Sequence, residues 1–175
     1  MAIFGAISTQ AKSCLDADVT KCFDRIAHEP LLDKVNTYPS LRRQIKAWLK
    51  AGVMDHGELF PTEAGSPQGG CISPLLANIA LHGLETDLVE HFAPKWDSPP
   101  PPIMVRYADD FVVLHRDQAV TEQCQRFIAG WLQHMGLELH PSKTRITHTL
   151  GSGEQEPGFD FLGFTFMPRR AQSHS

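Results

Sequence analysis

The stretch IMVRYADDFVVLH, from Ile103 to His115, constrains this chain more than any other. Two runs rich in branched and aromatic residues flank two adjacent carboxylates, Asp109 and Asp110. The runs read as strands, and aspartate disfavours strand interiors while favouring turns. The pattern predicts a β-hairpin with Ala108, Asp109 and Asp110 at its tip. Both acids would then lie at one end of a sheet. Like charges in apolar surroundings repel and lose solvation. Either the tip is an exposed turn, or a cation binds between the carboxylates.

A second acidic cluster lies in LDADV (Leu15–Val19), where Leu15, Ala17 and Val19 alternate with Asp16 and Asp18. Asp18 falls near the end of the predicted strand. If that strand pairs beside the hairpin, Asp18 joins Asp109 and Asp110 at one edge. Three carboxylates so placed call for a cation, and hard oxygen donors suit Mg²⁺. Two such ions would clamp the attacking and leaving oxygens of a phosphoryl transfer.

The rest of the chain supplies a scaffold. Its 175 residues and 42% hydrophobic content suit one soluble domain or slightly more. No apolar run has the length of a membrane span, and the N-terminus lacks a signal-peptide pattern. Cys14, Cys22, Cys71 and Cys124 form no CxxC pair and read as buried hydrophobes of a reducing, cytoplasmic compartment. The net charge of −4 argues against a free-standing nucleic-acid binder.

Helices are predicted over His28–Val35, with Pro30 in the first turn, and over Ser40–Gly52, capped by Ser40 and buried through Leu41, Ile45, Trp48 and Leu49. Gly52–Gly70 is turn-rich, with His56-Gly57 at the tip of a small hairpin. One long helix is predicted over Ser73–Phe92, with Ser73 as cap and Pro74 at its first position. A proline-rich connection follows at Lys95–Pro102. Asp117–Gly136 reads as an amphipathic helix, Leu137–Leu150 as strand, turn and strand, and Phe159–Phe166 as a final strand or hairpin arm. The order suits an α+β fold with helices packed on one face of an antiparallel sheet.

Five motifs then stand in order: DADVTKCFD, SPQGGCISPLLANIAL, RYADDFVVL, HPSKTRITH and FDFLGF. Together they resemble the palm of reverse transcriptases, and more narrowly the group II intron-encoded reverse transcriptases and maturases. The resemblance covers about Cys14 to Phe166 and implies a polymerase palm with a ferredoxin-like core. Residue by residue, it implies that Asp18, Asp109 and Asp110, with the backbone carbonyl of Val19, bind two Mg²⁺ ions, for which Mn²⁺ could substitute. Phe23 matches the bulky residue under the incoming sugar, which excludes a ribose 2′-OH. Gln68 and Gly69 match the segment against the incoming nucleotide, and Tyr107 joins these substrate contacts. Lys143 matches the lysine near the departing pyrophosphate, and Phe161–Phe164 the support of the primer end. Asp16, Asp24, Arg25 and Arg106 flank these motifs and receive no catalytic role.

The implied reaction is RNA-directed DNA synthesis from dNTPs on a primer 3′-hydroxyl. The implied partners are an RNA template, a DNA primer and a group II intron RNA, with no membrane. Residues 1–170 are expected to be the palm and 171–175 a polar tail. Most of the fingers and all of the thumb and maturase region are expected to be missing or supplied by other chains, leaving the isolated chain inactive or weakly active. The alternative is a non-catalytic RNA-binding remnant that assists intron splicing. Fingers and thumb usually carry much of the basic surface, so a palm can be net negative.

Overall fold

The computed structural model describes residues 13–51, 53–55, 58–60, 72–93, 100–149 and 158–166. The strands are β1 (Ser13–Asp18), β2 (Val53–Asp55), β3 (Glu58–Phe60), β4 (Ile103–Tyr107), β5 (Asp110–His115), β6 (Arg145–His148), β7 (Phe159–Phe161) and β8 (Phe164–Phe166). The helices are α1 (Cys22–Arg25), α2 (His28–Val35), α3 (Pro39–Lys50), α4 (Ser73–Leu81), α5 (Leu84–His91) and α6 (Gln118–Gln133). None of the described helices is long and apolar enough to cross a membrane. The chain divides into two compact units, one of residues 1–18, 85–128 and 140–175, the other of residues 19–84 and 129–139.

The first unit is built on a four-stranded antiparallel sheet in the order β4-β5-β1-β6. The central strand β5 is buried from Phe111 to His115, so both its faces are covered. That is why its apolar run is continuous rather than alternating. On one face Cys14, Val112 and Leu114 pack with Phe159, Phe161 and Phe166, joined by Val105. The aromatic residues come from the β7–β8 hairpin, a separate two-stranded sheet whose turn, Leu162-Gly163, has φ values of 51° and 78°. Two successive positive φ values match the right-handed twist of a tight hairpin. Phe159 and Phe166 stack at 5.3 Å between ring centroids across it.

His115 anchors the chain entering β4. Its Nδ1 accepts from the Asp117 backbone N–H at 3.0 Å, which leaves Nε2 to donate to the Pro100 carbonyl at 3.1 Å. The Asp117 carboxylate in turn accepts from the Ala119 N–H at 2.9 Å and caps α6.

The second unit packs α2, α3 and α4 around Leu31, Leu32, Ile45, Leu49, Leu76, Ala80 and Leu81. The Lys34 ammonium donates to the Ala80 carbonyl at 2.8 Å and stands 4.5 Å from the Trp131 ring centre. Its charge is thereby met by a carbonyl and an aromatic face.

Five local expectations change. Tyr38, not Ser40, precedes α3, and Pro39 takes the first helical position, for which its fixed φ is suited. Trp48 is 43% exposed, because Ile45 and Leu49 alone occupy the buried stripe of α3. The expected helix 73–92 is two helices: His82 is extended and Gly83 has φ +91°, a conformation that glycine adopts without a Cβ clash. Ile72 precedes α4 without any side-chain cap and Ser73 is already inside the helix, and Leu75 is 57% exposed although the sequence there is apolar almost all round. The expected small hairpin is present as β2 and β3, with Asp55 opposite Glu58; its connecting residues, like Gly52 and residues 171–175, lie outside the described ones.

Cys14, Cys22 and Cys124 are buried, and Cys71 lies outside the described residues. Burial pushes the Cys14 thiol up, and that of Cys124 up to about 12. The thiolate is the reactive form. In the native chain Cys14 and Cys124 should therefore resist Ellman's reagent at about pH 8 and react only in denaturant. Rapid native labelling of either, mapped by mass spectrometry, would contradict the packing described.

Candidate active site at one end of the sheet

Strand register assembles the acids. Asp18, the last residue of β1, lies opposite Asp110, the first of β5. Asp110 also pairs with Tyr107 of β4, so Ala108 and Asp109 alone form the hairpin turn. The tip is one residue shorter than the sequence pattern implies, and Asp110 belongs to the strand. Ala108 has φ +55°, a left-handed conformation that costs a non-glycine residue about 1–2 kcal/mol. The Arg106 guanidinium donates to the Ala108 carbonyl at 2.8 Å and helps to hold this turn. Strained turns of this kind gather at functional sites.

The segment before β6 closes the other side. The His140 N–H donates to the Asp18 carbonyl at 2.8 Å, and the N–H groups of Lys143 and Thr144 both return to the His140 carbonyl. The resulting turn carries Lys143 to Asp18, where its ammonium donates to the carboxylate Oδ2. Two residues on, Arg145 faces Asp16 across the β1–β6 pairing and its Nε donates to Asp16 Oδ2 at 3.0 Å. Asp16 and Asp18 share one face of β1 because side chains alternate along a strand. Asp16, Asp18, Asp110, Ser142, Lys143 and Arg145 line one open hollow of about 290 Å³.

The charges in this hollow strain one another. Burial raises the Asp110 carboxyl above its usual range; the charges of Asp18, Asp109 and Asp16 add to this, and only Lys143 opposes it. Asp16 is likewise raised by burial, against the hydrogen bond and charge of Arg145. The hydrogen bond from Lys143 to Asp18 and their mutual charge raise the lysine in turn. An acidic cluster in this condition gains from any additional cation.

Among the described residues, no three His, Cys, Asp or Glu side chains stand together as a ready metal cage. Lys143 and Arg145 instead act as the counter-ions of Asp18 and Asp16. The acidic donor set fits a divalent metal all the same: it is made of carboxylate oxygens alone, the donors of Mg²⁺ and Mn²⁺.

Of the residues singled out in the sequence, Asp18, Asp110 and Lys143 meet in the hollow, and Asp109 acts on them from the adjoining turn. Tyr107 is 66% exposed and neighbours Asp110 in register. Val19 is buried, follows Asp18 in the chain and bridges to Leu139 within the second unit. Phe23 belongs to α1, its side chain outside the described set, and Gln68 and Gly69 lie outside the described residues. Sequence reasoning missed Asp16, Ser142 and Arg145 as lining residues. The two-residue spacing of Asp16 from Asp18, and of Arg145 from Lys143, was the available signal.

A family model described as reverse transcriptase (RNA-dependent DNA polymerase) matches residues 5–166. Protein YkfC of Escherichia coli (strain K12) is 29% identical over 196 residues, covering 94% of this chain and 49% of that protein. The group II intron-encoded protein LtrA of Lactococcus lactis subsp. cremoris is 27% identical over 223 residues, covering 92% of this chain and 36% of that protein. The chain thus spans about half or less of the length of these curated relatives. Telomerase from Candida albicans, solved with a fragment of telomeric RNA, superposes with a TM-score of 0.70 at 18% identity, covering 99% of this chain and 32% of that one. That likeness carries the fold, an α+β palm.

Proposed function

The chain belongs to the reverse transcriptase family, of the group II intron type, and we propose that it is a palm whose acidic hollow performs RNA-directed DNA synthesis. One observation carries this reading above the others: β-sheet register sets Asp18 against Asp110, beside the Asp109 turn and under the Lys143 ammonium. The substrates on this reading are dNTPs, a DNA primer and an RNA template, and the wider partner is a group II intron RNA.

Asp18, Asp109 and Asp110, with the Val19 carbonyl, would hold two Mg²⁺ ions, with Mn²⁺ as substitute. Bound there, such ions would lower the pKa of the primer 3′-hydroxyl and neutralise charge on the triphosphate. The hydroxyl gives its proton to solvent, and its oxygen forms a bond to the α-phosphorus as the bond to the pyrophosphate oxygen breaks. Lys143 offers its ammonium proton to that leaving oxygen. Gln68, Gly69 and Tyr107 would border the incoming nucleotide.

Phe23 would lie against the deoxyribose and reject a 2′-OH by leaving it neither space nor partner. Phe23→Val should raise the use of ribonucleotides relative to deoxyribonucleotides by about ten- to a hundredfold. Unchanged discrimination, measured as a ratio of kcat/KM values, would remove Phe23 from the site.

Primer extension on an RNA template with dNTPs and Mg²⁺ tests the whole reading. The full chain should extend the primer, however weakly, and Asp109→Ala should not. Extension that survives Asp109→Ala would refute the carboxylate site. RNA binding without any extension by a folded chain would favour a splicing role instead.

A further inference from the structure

Arg145 stands in the hollow without a part in the reaction just described. It is the first residue of β6, paired in register with Asp16. Asp16 engages only its Nε, and among the described residues no other group bonds the guanidinium. The two terminal nitrogens are therefore uncommitted on a side chain that is 56% exposed, while the Asp16 side chain that holds it is 20% exposed. Lys143, two residues earlier, is held in the same way by Asp18, two residues after Asp16. Two cation–carboxylate pairs thus stand side by side on one lining.

An ordinary cross-strand ion pair would have the same contact. The setting here is different. The Asp16 side chain is only 20% exposed and lines the hollow together with Asp18 and Asp110. A carboxylate gripping Nε fixes the plane of the guanidinium and leaves the opposite edge as a two-pronged donor. Such an edge matches the oxygens of a phosphate group, which an ammonium cannot reproduce.

We propose that Arg145, oriented by Asp16, is a polyphosphate-binding residue of this hollow, taking the β- and γ-phosphate oxygens of the incoming nucleotide and then the departing pyrophosphate. Asp16 is its positioning residue. The proposal rests on the nucleotidyl-transfer reading of the site and extends it to the charge that receives the triphosphate.

The test titrates the full chain with inorganic pyrophosphate by calorimetry, and separately measures dNTP dependence in primer extension. Arg145→Ala should weaken pyrophosphate binding about tenfold, a change of about 1.4 kcal/mol. It should raise the KM for dNTP by a similar factor, more than it lowers kcat. Arg145→Lys should restore only part of the affinity, because charge returns without the fork. Asp16→Asn should fall between wild type and Arg145→Ala. If Arg145→Ala is poorly folded by circular dichroism, Arg145→Gln, which keeps the stem, carries the same comparison.

Pyrophosphate affinity and KM at wild-type values in these variants would overturn the proposal and leave a cross-strand pair. Full rescue by Arg145→Lys would overturn the claim for the fork. The calorimetric arm needs no template, primer or turnover. Failure of Arg145 to matter is therefore distinguishable from failure of the polymerase reading, which would appear as extension independent of Asp109.

Discussion

Replacing Asp110 by asparagine should abolish nucleotide addition and raise the melting temperature of the chain at neutral pH. The two effects have one cause. The Asp110 carboxyl is raised above the ordinary aspartate range by burial and by the charges of Asp18, Asp109 and Asp16. A carboxyl raised in the folded state binds its proton more tightly there than in the unfolded chain. Its ionisation therefore costs stability as pH rises through the folded value, and stability returns as pH falls towards the unfolded one. Asparagine has the same shape without the charge. The expected gain is modest, about 2 °C, since solvent screens this open cluster. It should shrink as the wild type is titrated into the acid range. The expected loss of extension is about a hundredfold or more, as for removal of a group that stabilises the transition state directly. A variant that melts lower than wild type would show that the acids are not in mutual strain.

Phe111→Ala should produce the largest loss of stability. Phe111 is fully buried in the central strand, opposite Ala17 on β1 and Arg106 on β4. It lies next to Asp110 in sequence and points to the other face of the sheet. Truncating a buried phenylalanine costs about 3–5 kcal/mol, through lost transfer energy and the cavity left behind. At about 2–4 °C per kcal/mol for a chain of this size, the melting temperature should drop by roughly 10 °C. Register through β5 sets Asp110 against Asp18, so loosening that strand should also weaken the site. A thermal melt with a drop under about 2 °C would mean that Phe111 is not the packed centre of the sheet.

The carboxylate hairpin was legible because aspartates interrupt a branched apolar run, and only a turn accommodates that interruption. The length of the turn was not. Whether Asp110 closes the strand or belongs to the tip is decided by pairing with Tyr107 and Asp18, which no local pattern contains. The positive φ of Ala108 was equally hidden, since alanine gives no hint of a left-handed turn. The break at Gly83 was visible as a glycine in an apolar run, but a helix can tolerate one glycine. Only the extended His82 beside it shows that the helix stops.

Asp18 was legible from the strand pattern of LDADV and Lys143 through the resemblance to a family, and the strand register then supplied a physical reason for them to meet. Asp16 and Arg145 could have been found without it, from two-residue alternation along β1 and β6. Phe23, Gln68, Gly69 and the Val19 carbonyl owe their roles to motif position, and Phe23→Val tests the first of them.

The central claim is that Asp18 and Asp110, with Asp109, form a divalent-cation site. Its most direct test is an electron paramagnetic resonance titration of the full chain with Mn²⁺, which requires neither template nor primer. Wild type should bind the ion, and Asp18→Asn and Asp110→Asn should each weaken binding by at least about tenfold. Wild type without saturable binding, or variants that bind as tightly as wild type, would contradict the account.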